Sequence, residues 1–180
     1  MKSADDRPIA LVGIMGAGKS AVARALGERL GTSVADLDAM IEAVEGCSVA
    51  ELFERAGEAW FREREGQMLE EVLLSCVQVI ACGGGIVLDP LRRAALRERC
   101  RVVWLEVPPA EAARRVLAQS PHAGKLRPLL AGGSPQERLT ELLNQRRSMY
   151  AEAAHIRIQT GDSTPEQVAD AIASALAANA

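Results

Sequence analysis

The fold is decided by the stretch Gly13-Ile-Met-Gly-Ala-Gly-Lys19-Ser20, which fits the pattern GxxxxGK[ST] of a phosphate-binding loop. An apolar run at residues 9–12 precedes this stretch and predicts a buried strand. After it, apolar residues recur at helical spacing up to Leu30, and Gly31 stands where the helix should end. A strand before and a helix after are the context that the motif requires, so we expect nucleoside triphosphate binding here.

Within this loop, each residue type has a physical role in holding phosphate. The glycines let backbone N–H groups turn inward, and the N-terminus of the following helix adds positive partial charge. Lys19 is long enough to reach the β- and γ-phosphates, and the hydroxyl of Ser20 is a ligand for Mg²⁺. A glycine-rich turn with a chance lysine is the alternative. The motif alone leaves open whether the protein is a hydrolase, a switch or a kinase.

The composition of the 180 residues fits one domain with a sizeable core, since 48% are hydrophobic and 25% are charged. Only 3% are aromatic, so the core must be built from Leu, Val, Ile and Ala. A formal net charge of −3 suits neither nucleic acid nor an anionic membrane as a partner. Basic groups that meet an anionic ligand must therefore be few and local.

The N-terminus and the cysteines point to a reducing, cytoplasmic location. The opening stretch MKSADDRP lacks the apolar segment of a signal peptide, and no apolar run has the length of a transmembrane helix. Cys47, Cys76, Cys82 and Cys100 form no CxxC pair and no zinc-ligand spacing. We expect reduced thiols that are buried or half-buried.

Strand and helix patterns alternate along the chain. Short apolar runs predict strands at residues 9–12, 33–37, 77–81, 102–105 and 155–159. Capping patterns or prolines predict helix starts at Ser48, Asp89, Pro109, Ser134 and Thr164. Gly46 and Gly57 should interrupt the helical stretch 38–74, and residues 120–133 should form a surface loop. The alternation predicts an α/β fold whose parallel sheet binds ligands beyond the carboxyl ends of its strands.

Asp36 and Asp38 lie where the second strand should end. Because strand side chains alternate, both carboxylates should point to the same side. One could hold Mg²⁺ through water, and the other could accept a hydrogen bond from an acceptor hydroxyl. The alternative is a helix N-cap aspartate beside a solvated one.

Further along, a charged helix and a glycine run suggest the site for an anionic acceptor. Arg62 and Glu65 stand three residues apart, so the glutamate can fix the arginine head and leave donors for a carboxylate. Gly83, Gly84 and Gly85 follow the third strand and indicate close approach of a ligand to bare backbone. A surface salt bridge and an ordinary strand-end turn are the alternatives.

Two arginines in the second half of the chain are further candidates. Arg127 lies in the predicted loop, where a lid arginine would close over phosphates and exclude water. Arg146 and Arg147 look like ordinary helix surface by themselves. His122 and His155 have no partner pattern, so neither is expected to be catalytic.

Taken together, the motifs resemble those of the shikimate kinase family. In chain order they are GxMGAGKS, DLD, a Gly-Glu stretch with Phe-Arg-x-x-Glu, a strand ending in GGG, RPLL and Arg-x-x-x-Tyr. The resemblance covers about residues 9–176. It implies a fold similar to nucleoside monophosphate kinases in one domain, 1–180, with a five-stranded parallel sheet in the order 2-3-1-4-5. It also implies a substrate-binding subdomain at about 38–66 and a lid at about 118–133.

The resemblance also implies a role for each motif residue. ATP phosphates would be held by Arg127 and the loop residues Gly16, Ala17, Gly18, Lys19, Ser20 and Ala21. Ser20 would bind Mg²⁺ and Asp36 would support it through water, while Asp38 would contact the 3-hydroxyl of shikimate. Arg62 and Arg146 would hold the shikimate carboxylate, beside Gly83, Gly84 and Gly85. Lys19, Asp38 and Arg127 would be the catalytic groups of a cytoplasmic, monomeric enzyme of aromatic amino acid biosynthesis.

The sequence departs from the family pattern in several places, two of which concern predicted site residues. Ala21 replaces the usual threonine of GKST, which leaves Ser20 as the hydroxyl for the metal. The usual R-x-P-L-Y reads Arg146-Arg-Ser-Met-Tyr150, so Arg147 competes with Arg146 for the carboxylate, and the spacing to Tyr150 favours Arg146. Alternative functions are a kinase of the same fold for gluconate or a nucleoside monophosphate, and a nucleotide-binding relative without catalysis.

Overall fold

The computed structural model describes residues 7–119 and 134–178, which form a five-stranded sheet covered by helices. The strand order is β2-β3-β1-β4-β5 and every pairing is parallel, so the predicted fold class and strand order are confirmed. The strands are β1 (Ile9–Val12), β2 (Val34–Asp36), β3 (Val79–Ala81), β4 (Arg101–Glu106) and β5 (Ile156–Gln159). The helices are α1 (Lys19–Leu30), α2 (Leu37–Glu45), α3 (Val49–Leu73), α4 (Pro90–Arg99), α5 (Pro109–Gln119), α6 (Pro135–Ala153) and α7 (Pro165–Ala178), with a 3₁₀ turn at Ile86–Leu88.

The core forms around β1, the central strand. All four of its residues are buried, as are all three of β3, because helices cover both faces of a parallel sheet. Leu11, Ile80 and Val103 are fully inaccessible to solvent. The wider core is rich in Leu, Val, Ile and Ala, as the scarcity of aromatic residues predicts.

Helix ends follow the predicted capping chemistry. The side chains of Ser48 and Ser134 each accept a hydrogen bond from the backbone N–H three residues on. The side chains of Glu51 and Glu137 accept in turn from the backbone N–H of the two serines, which completes both capping boxes. Asp89 caps α4 ahead of Pro90. These caps fix where each helix leaves the sheet.

Two glycines interrupt the helical stretch between β2 and β3, as predicted. Gly46 ends α2 in the left-handed conformation, with φ 69°. Gly57 interrupts α3 with φ 82° and ψ 168°, so the two halves of that helix run in different directions. The second half carries Phe61 and Glu65, both buried, toward the carboxyl ends of the strands.

Several sequence-based expectations need correction in detail. Strands β2 and β3 are shorter than the predicted 33–37 and 77–81, because helix α2 already begins at Leu37 and β3 pairing begins at Val79. Cys82 and Cys100 are buried and Cys47 is half-buried, whereas Cys76 is exposed, contrary to expectation. Among the described helices, none has the length and apolar character needed to cross a membrane.

Candidate active site

A cavity of about 650 Å³ opens at the carboxyl ends of β1, β2 and β3. The sheet order makes these three strands neighbours, so the segments that follow them meet at one edge. The cavity is lined by most of the predicted site residues within the described chain: Gly16, Gly18, Lys19, Ser20, Ala21, Asp36, Asp38, Arg62, Gly83, Gly84, Gly85 and Arg146. Its volume suits a small-molecule ligand.

The phosphate-binding loop is shaped by close packing as well as by ligand chemistry. Gly13, Gly16 and Gly18 all have positive φ. A Cβ on Gly16 would stand 2.5 Å from the carbonyl oxygen of Ala112, so no other residue fits there. Ala17 has no exposed surface, and its backbone N–H donates to the Ile14 carbonyl oxygen at 3.2 Å. The Ala17 side chain is therefore packed under the loop and does not line the cavity.

Helix α1 starts at this loop with its N-terminus toward the cavity. Its N-cap, Gly18, offers no side chain to the first N–H groups of the helix, which suits an anionic ligand as their partner. Lys19 reaches back across the loop, and its ammonium donates to the carbonyl oxygens of Gly13 at 2.9 Å and Ile14 at 3.1 Å. Backbone amides and the lysine charge are thus gathered on one side of the cavity.

Asp36 and Asp38 both line the cavity, although the reason predicted from strand alternation is wrong. Asp36 is the N-cap of α2, where its carboxylate accepts from the N–H of Ala39 at 3.3 Å. Asp38 lies in the first helical turn, two residues further on. A helix turn, not a pleated strand, therefore brings the two carboxylates to the same cavity.

Asp38 is a buried carboxylate with an unsatisfied oxygen. Its Oδ1 is inaccessible to solvent and has no hydrogen-bond partner among the described residues. Burial raises the pKa of Asp38 above its ordinary value, and the charge of Lys19 partly opposes that rise. Because Asp38 also lines the cavity, a carboxylate with an unpartnered oxygen here suits a ligand hydroxyl as its donor.

Arg62 is held between two glutamates of its own helix. Its Nη1 donates to buried Glu65 at 2.9 Å, while Nε and Nη2 share an oxygen of Glu58 at 3.3 Å and 3.2 Å. A guanidinium has five N–H donors, so two remain beyond these three bonds, enough for a carboxylate. Burial raises the pKa of Glu65, whose Oε1 has no partner in the described chain.

The glycine run after β3 makes room for these charged side chains. A Cβ on Gly83 would stand 2.0 Å from Oε1 of Glu65 and 2.8 Å from Oδ1 of Asp38. A Cβ on Gly85 would stand 2.4 Å from Nη1 of Arg62. A side chain at 83 or 85 would displace Glu65, Asp38 or Arg62 from its position, whereas the sequence suggested the approach of a ligand.

Adjacent arginines on α6 have different surroundings. Arg146 is 7% exposed, lines the cavity and donates from Nη1 to the carbonyl oxygen of Gly84 at 3.1 Å. Arg147 is half-exposed and donates to Glu106 at 3.0 Å, outside the residues that line the cavity. Successive helical residues point about 100° apart. Of the two candidates, Arg146 is therefore the one beside the glycine run.

Arg115 is a cavity residue that the sequence gave no reason to choose. It extends from α5 to the carbonyl oxygens of Gly16 and Gly161, and Glu111 one turn earlier fixes its Nε at 2.7 Å. Hydrogen bonds from Arg114 and Arg115 lower the pKa of Glu111 to about 2. The sequence signal was only an i, i+4 charge pair, which is ordinary on a helix surface. Its place beside the phosphate loop follows from the adjacency of β4 and β1.

The remaining candidates lie apart from the cavity or outside the described residues. His155 accepts from the N–H of Val102 through Nδ1 and does not line the cavity. Arg127 and His122 lie outside the described residues, as does most of the predicted lid at 118–133. Phe53, Phe61 and Leu142 add an apolar wall to the cavity, which the sequence did not indicate.

The polar groups fit a magnesium ion that binds together with phosphates. Within residues 7–119 and 134–178, no three metal-binding side chains cluster. Ser20 and Asp36 nevertheless face the same cavity, beside the phosphate loop. Mg²⁺ keeps several waters and takes one or two protein oxygens plus phosphate oxygens, so a sparse donor set is what it needs.

Comparison with known proteins identifies the family. A sequence model of shikimate kinase matches residues 15–177. The chain belongs to the shikimate kinase family. The resemblance predicted from the motifs is thereby confirmed, and the chain is an ATP-dependent phosphotransferase.

Individual relatives agree with this assignment. The shikimate kinase of Symbiobacterium thermophilum is 45% identical over 152 residues, which cover 84% of this chain and 86% of the relative. The shikimate kinase of Synechococcus sp. (strain CC9605) is 42% identical over 171 residues, which cover 95% and 83%. A solved shikimate kinase from Acinetobacter baumannii, in complex with shikimate, matches with a TM-score of 0.89 and 36% identity over 96% of this chain and 94% of its own.

Replacing Asp38 by Asn should stabilise the folded protein at neutral pH. Because the folded state raises the pKa of Asp38 above 3.8, it binds this proton more tightly than the unfolded chain does. The destabilising effect of Asp38 is therefore absent below that value, grows as the pH rises toward the folded-state pKa, and is constant above it. Urea unfolding of wild type and variant from about pH 4 to about pH 8 measures the difference in unfolding free energy.

Asp162→Asn provides the control for this measurement, since it removes the same charge at an exposed position. It should show no comparable growth of the stability difference with pH. An Asp38→Asn protein that is less stable than wild type at neutral pH would contradict the assignment of burial as the dominant effect.

Proposed function

We propose that the chain transfers the γ-phosphoryl group of ATP to the 3-hydroxyl of shikimate, with Asp38 facing the reacting hydroxyl. The observation that carries the proposal is the orphaned oxygen of Asp38, which shares one cavity with Lys19, Arg62 and Arg146. Asp38 can accept a hydrogen bond from a hydroxyl, and the two arginines can bind a carboxylate, so the site suits a hydroxy acid. The family assignment supports shikimate as that acid.

The acceptor is held at its carboxylate by two arginines. Arg62 has two N–H donors beyond its bonds to glutamates, and Arg146 has donors beyond its bond to the carbonyl oxygen of Gly84. Both stand against the same glycine run, since Gly85 abuts Arg62 and Gly84 accepts from Arg146. A carboxylate between them gains charge-assisted hydrogen bonds from both sides.

Asp38 then positions the hydroxyl for attack. Phosphoryl transfer passes through a loose transition state, so alignment of the attacking oxygen contributes more than strong base catalysis. Asp38 accepts the hydroxyl proton as the new O–P bond forms and the bond between the γ-phosphorus and the bridging oxygen breaks, which releases ADP. Burial favours its protonated form, which makes the carboxylate a better proton acceptor than an exposed aspartate.

ATP binds with its phosphates against the loop residues 16–21 and the N-terminus of α1. Lys19 supplies positive charge to the oxygens that become more negative during transfer. We assign the same role to Arg127, within a lid at about 118–133 that excludes water, and we assign the substrate-binding subdomain to about 38–66. When bound at Ser20 and, through water, at Asp36, Mg²⁺ supplies charge neutralisation to the phosphates.

We propose three further properties of the enzyme. The enzyme acts as a monomer on small molecules, works in the cytoplasm, and serves aromatic amino acid biosynthesis. The pairing of Lys19, Asp38 and two arginines in one cavity argues against a non-catalytic relative. Gluconate is a second candidate acceptor because a sugar acid would also present a carboxylate to the two arginines; a Sinorhizobium meliloti gluconokinase shares the fold, with a TM-score of 0.58 at 19% identity.

An acceptor panel tests the substrate. ADP release is measured with shikimate, gluconate and a nucleoside monophosphate at equal concentrations, and titration calorimetry measures shikimate binding with and without ADP. We expect turnover with shikimate alone. Turnover with gluconate in preference to shikimate, or no shikimate binding at millimolar concentration, would overturn the assignment.

Asp38→Asn should lower kcat by about a hundredfold or more while ATP affinity persists, because general-base groups typically contribute about 10²–10⁴-fold. The amide still fits the helix turn but cannot take the proton. Steady-state kinetics and ATP titration check this. A kcat close to that of wild type would remove Asp38 from the mechanism.

Arg146→Lys and Arg147→Lys form a matched pair of variants with the same charge and helix. Arg146→Lys should raise KM for shikimate by about tenfold or more, because hydrogen bonds to charged groups contribute about 1.5–3 kcal/mol and lysine lacks the guanidinium fork. Arg147→Lys should leave this KM unchanged, since Arg147 bonds to Glu106. The reverse result would assign the carboxylate to Arg147.

A further inference from the structure

Tyr150 donates a hydrogen bond to the same carbonyl oxygen as Arg146. It is not one of the ligand-binding residues named above. Its hydroxyl donates to the carbonyl oxygen of Gly84 at 2.5 Å, while Nη1 of Arg146 donates to that oxygen at 3.1 Å. A carbonyl oxygen has two lone pairs, so these two donors satisfy it completely. Tyr150 and Arg146 lie one helical turn apart on α6, and both face the glycine run.

The position of the Tyr150 hydroxyl is set by the sheet. Tyr150 is fully buried, and its ring stacks on Trp104 of β4 at 5.8 Å between centroids and 24° between planes. Trp104 is itself 2% exposed. Burial also raises the pKa of Tyr150 to about 12, so the hydroxyl remains a donor at any working pH.

Gly84, by contrast, has no side chain that could fix the orientation of its peptide group. The turn around it is closed by the bond from the N–H of Ile86 to the carbonyl oxygen of Gly83 at 3.2 Å, whereas the carbonyl oxygen of Gly84 itself is bonded by the side chains of Tyr150 and Arg146. The conformation of the glycine run affects both arginines, because Gly85 packs against the guanidinium of Arg62 and Gly84 accepts a hydrogen bond from Arg146. A Cβ on Gly84 would also stand 3.3 Å from the Gly13 carbonyl oxygen, so the run touches the phosphate loop.

We propose that Tyr150 is a positioning residue for shikimate binding: its hydroxyl fixes the Gly84 carbonyl and thereby aligns Arg62 and Arg146 as a two-arginine clamp for the acceptor carboxylate. With one lone pair taken by Tyr150, the Gly84 carbonyl oxygen accepts one bond from Arg146. Arg146 also hydrogen-bonds to the Tyr150 side chain, so Tyr150 holds this arginine both directly and through Gly84, and the remaining donors of Arg146 are left for the substrate. The inference deepens the proposed function and rests on it.

Tyr150→Phe is the test, because it keeps the ring on Trp104 and removes only the hydroxyl. We expect the Kd and KM for shikimate to rise about tenfold, with kcat and KM for ATP changed less than about twofold, in keeping with one lost hydrogen bond. The methyl ester of shikimate should bind wild type and Tyr150→Phe equally, since it lacks the charge that the clamp recognises.

Thr160→Val is the matched control, since it removes another buried hydroxyl, one that donates to the Glu106 carbonyl at 3.3 Å. Its KM for shikimate should stay at the wild-type value, and melting temperatures of both variants report any loss of packing separately. In combination with Arg146→Lys, the effect of Tyr150→Phe should be smaller than in the wild-type background, because the two residues act on one clamp.

Each outcome separates this inference from the proposed function. Wild type that binds shikimate, with Tyr150→Phe binding it equally well, overturns the positioning role alone. An equal loss of affinity for shikimate and for its methyl ester also overturns it, because the loss then does not pass through the carboxylate. Wild type that does not bind shikimate overturns the proposed function itself.

Discussion

The parallel pairing of β1 with β3, and of β3 with β2, is the constraint on which the site depends. It puts three carboxyl ends side by side, and each is followed by a different kind of group: the phosphate loop, two aspartates and the glycine run. Helix α6 adds an arginine from the far side. No two of these segments are close in sequence, so the pairing of the strands and the helices packed on them bring the segments into one cavity.

Beside that cavity, the protein buries carboxylates whose charge its own groups compensate only in part. Asp38 and Glu65 each bury an oxygen without a described partner, and both have raised pKa values because of burial. Unpartnered buried polar groups are costly in a fold that gains only a small net stability. For Asp38, which lines the cavity, the missing partner fits a site that is completed by a ligand hydroxyl, a common exchange of stability for function.

Glycine serves two different purposes around the cavity. In the phosphate loop, positive φ and contact with the backbone of α5 exclude any larger residue at Gly16. In the run after β3, the absent side chains leave space for Glu65, Asp38 and Arg62. The second purpose depends on charged side chains from other helices. A glycine pattern in a sequence therefore does not by itself identify what approaches it.

The sequence by itself determined the phosphate loop, the alternation of strands and helices, the capping boxes and the breaks at Gly46 and Gly57, because these depend on local backbone preferences. The motif order also identified the family. Only the tertiary structure decided that Asp38 is buried on a helix, that Arg146 and not Arg147 lies in the cavity, and that Arg115 and Tyr150 belong to its surroundings. These placements depend on which strands become neighbours and which helix face meets the sheet, and contacts across 60 or more residues leave no local pattern.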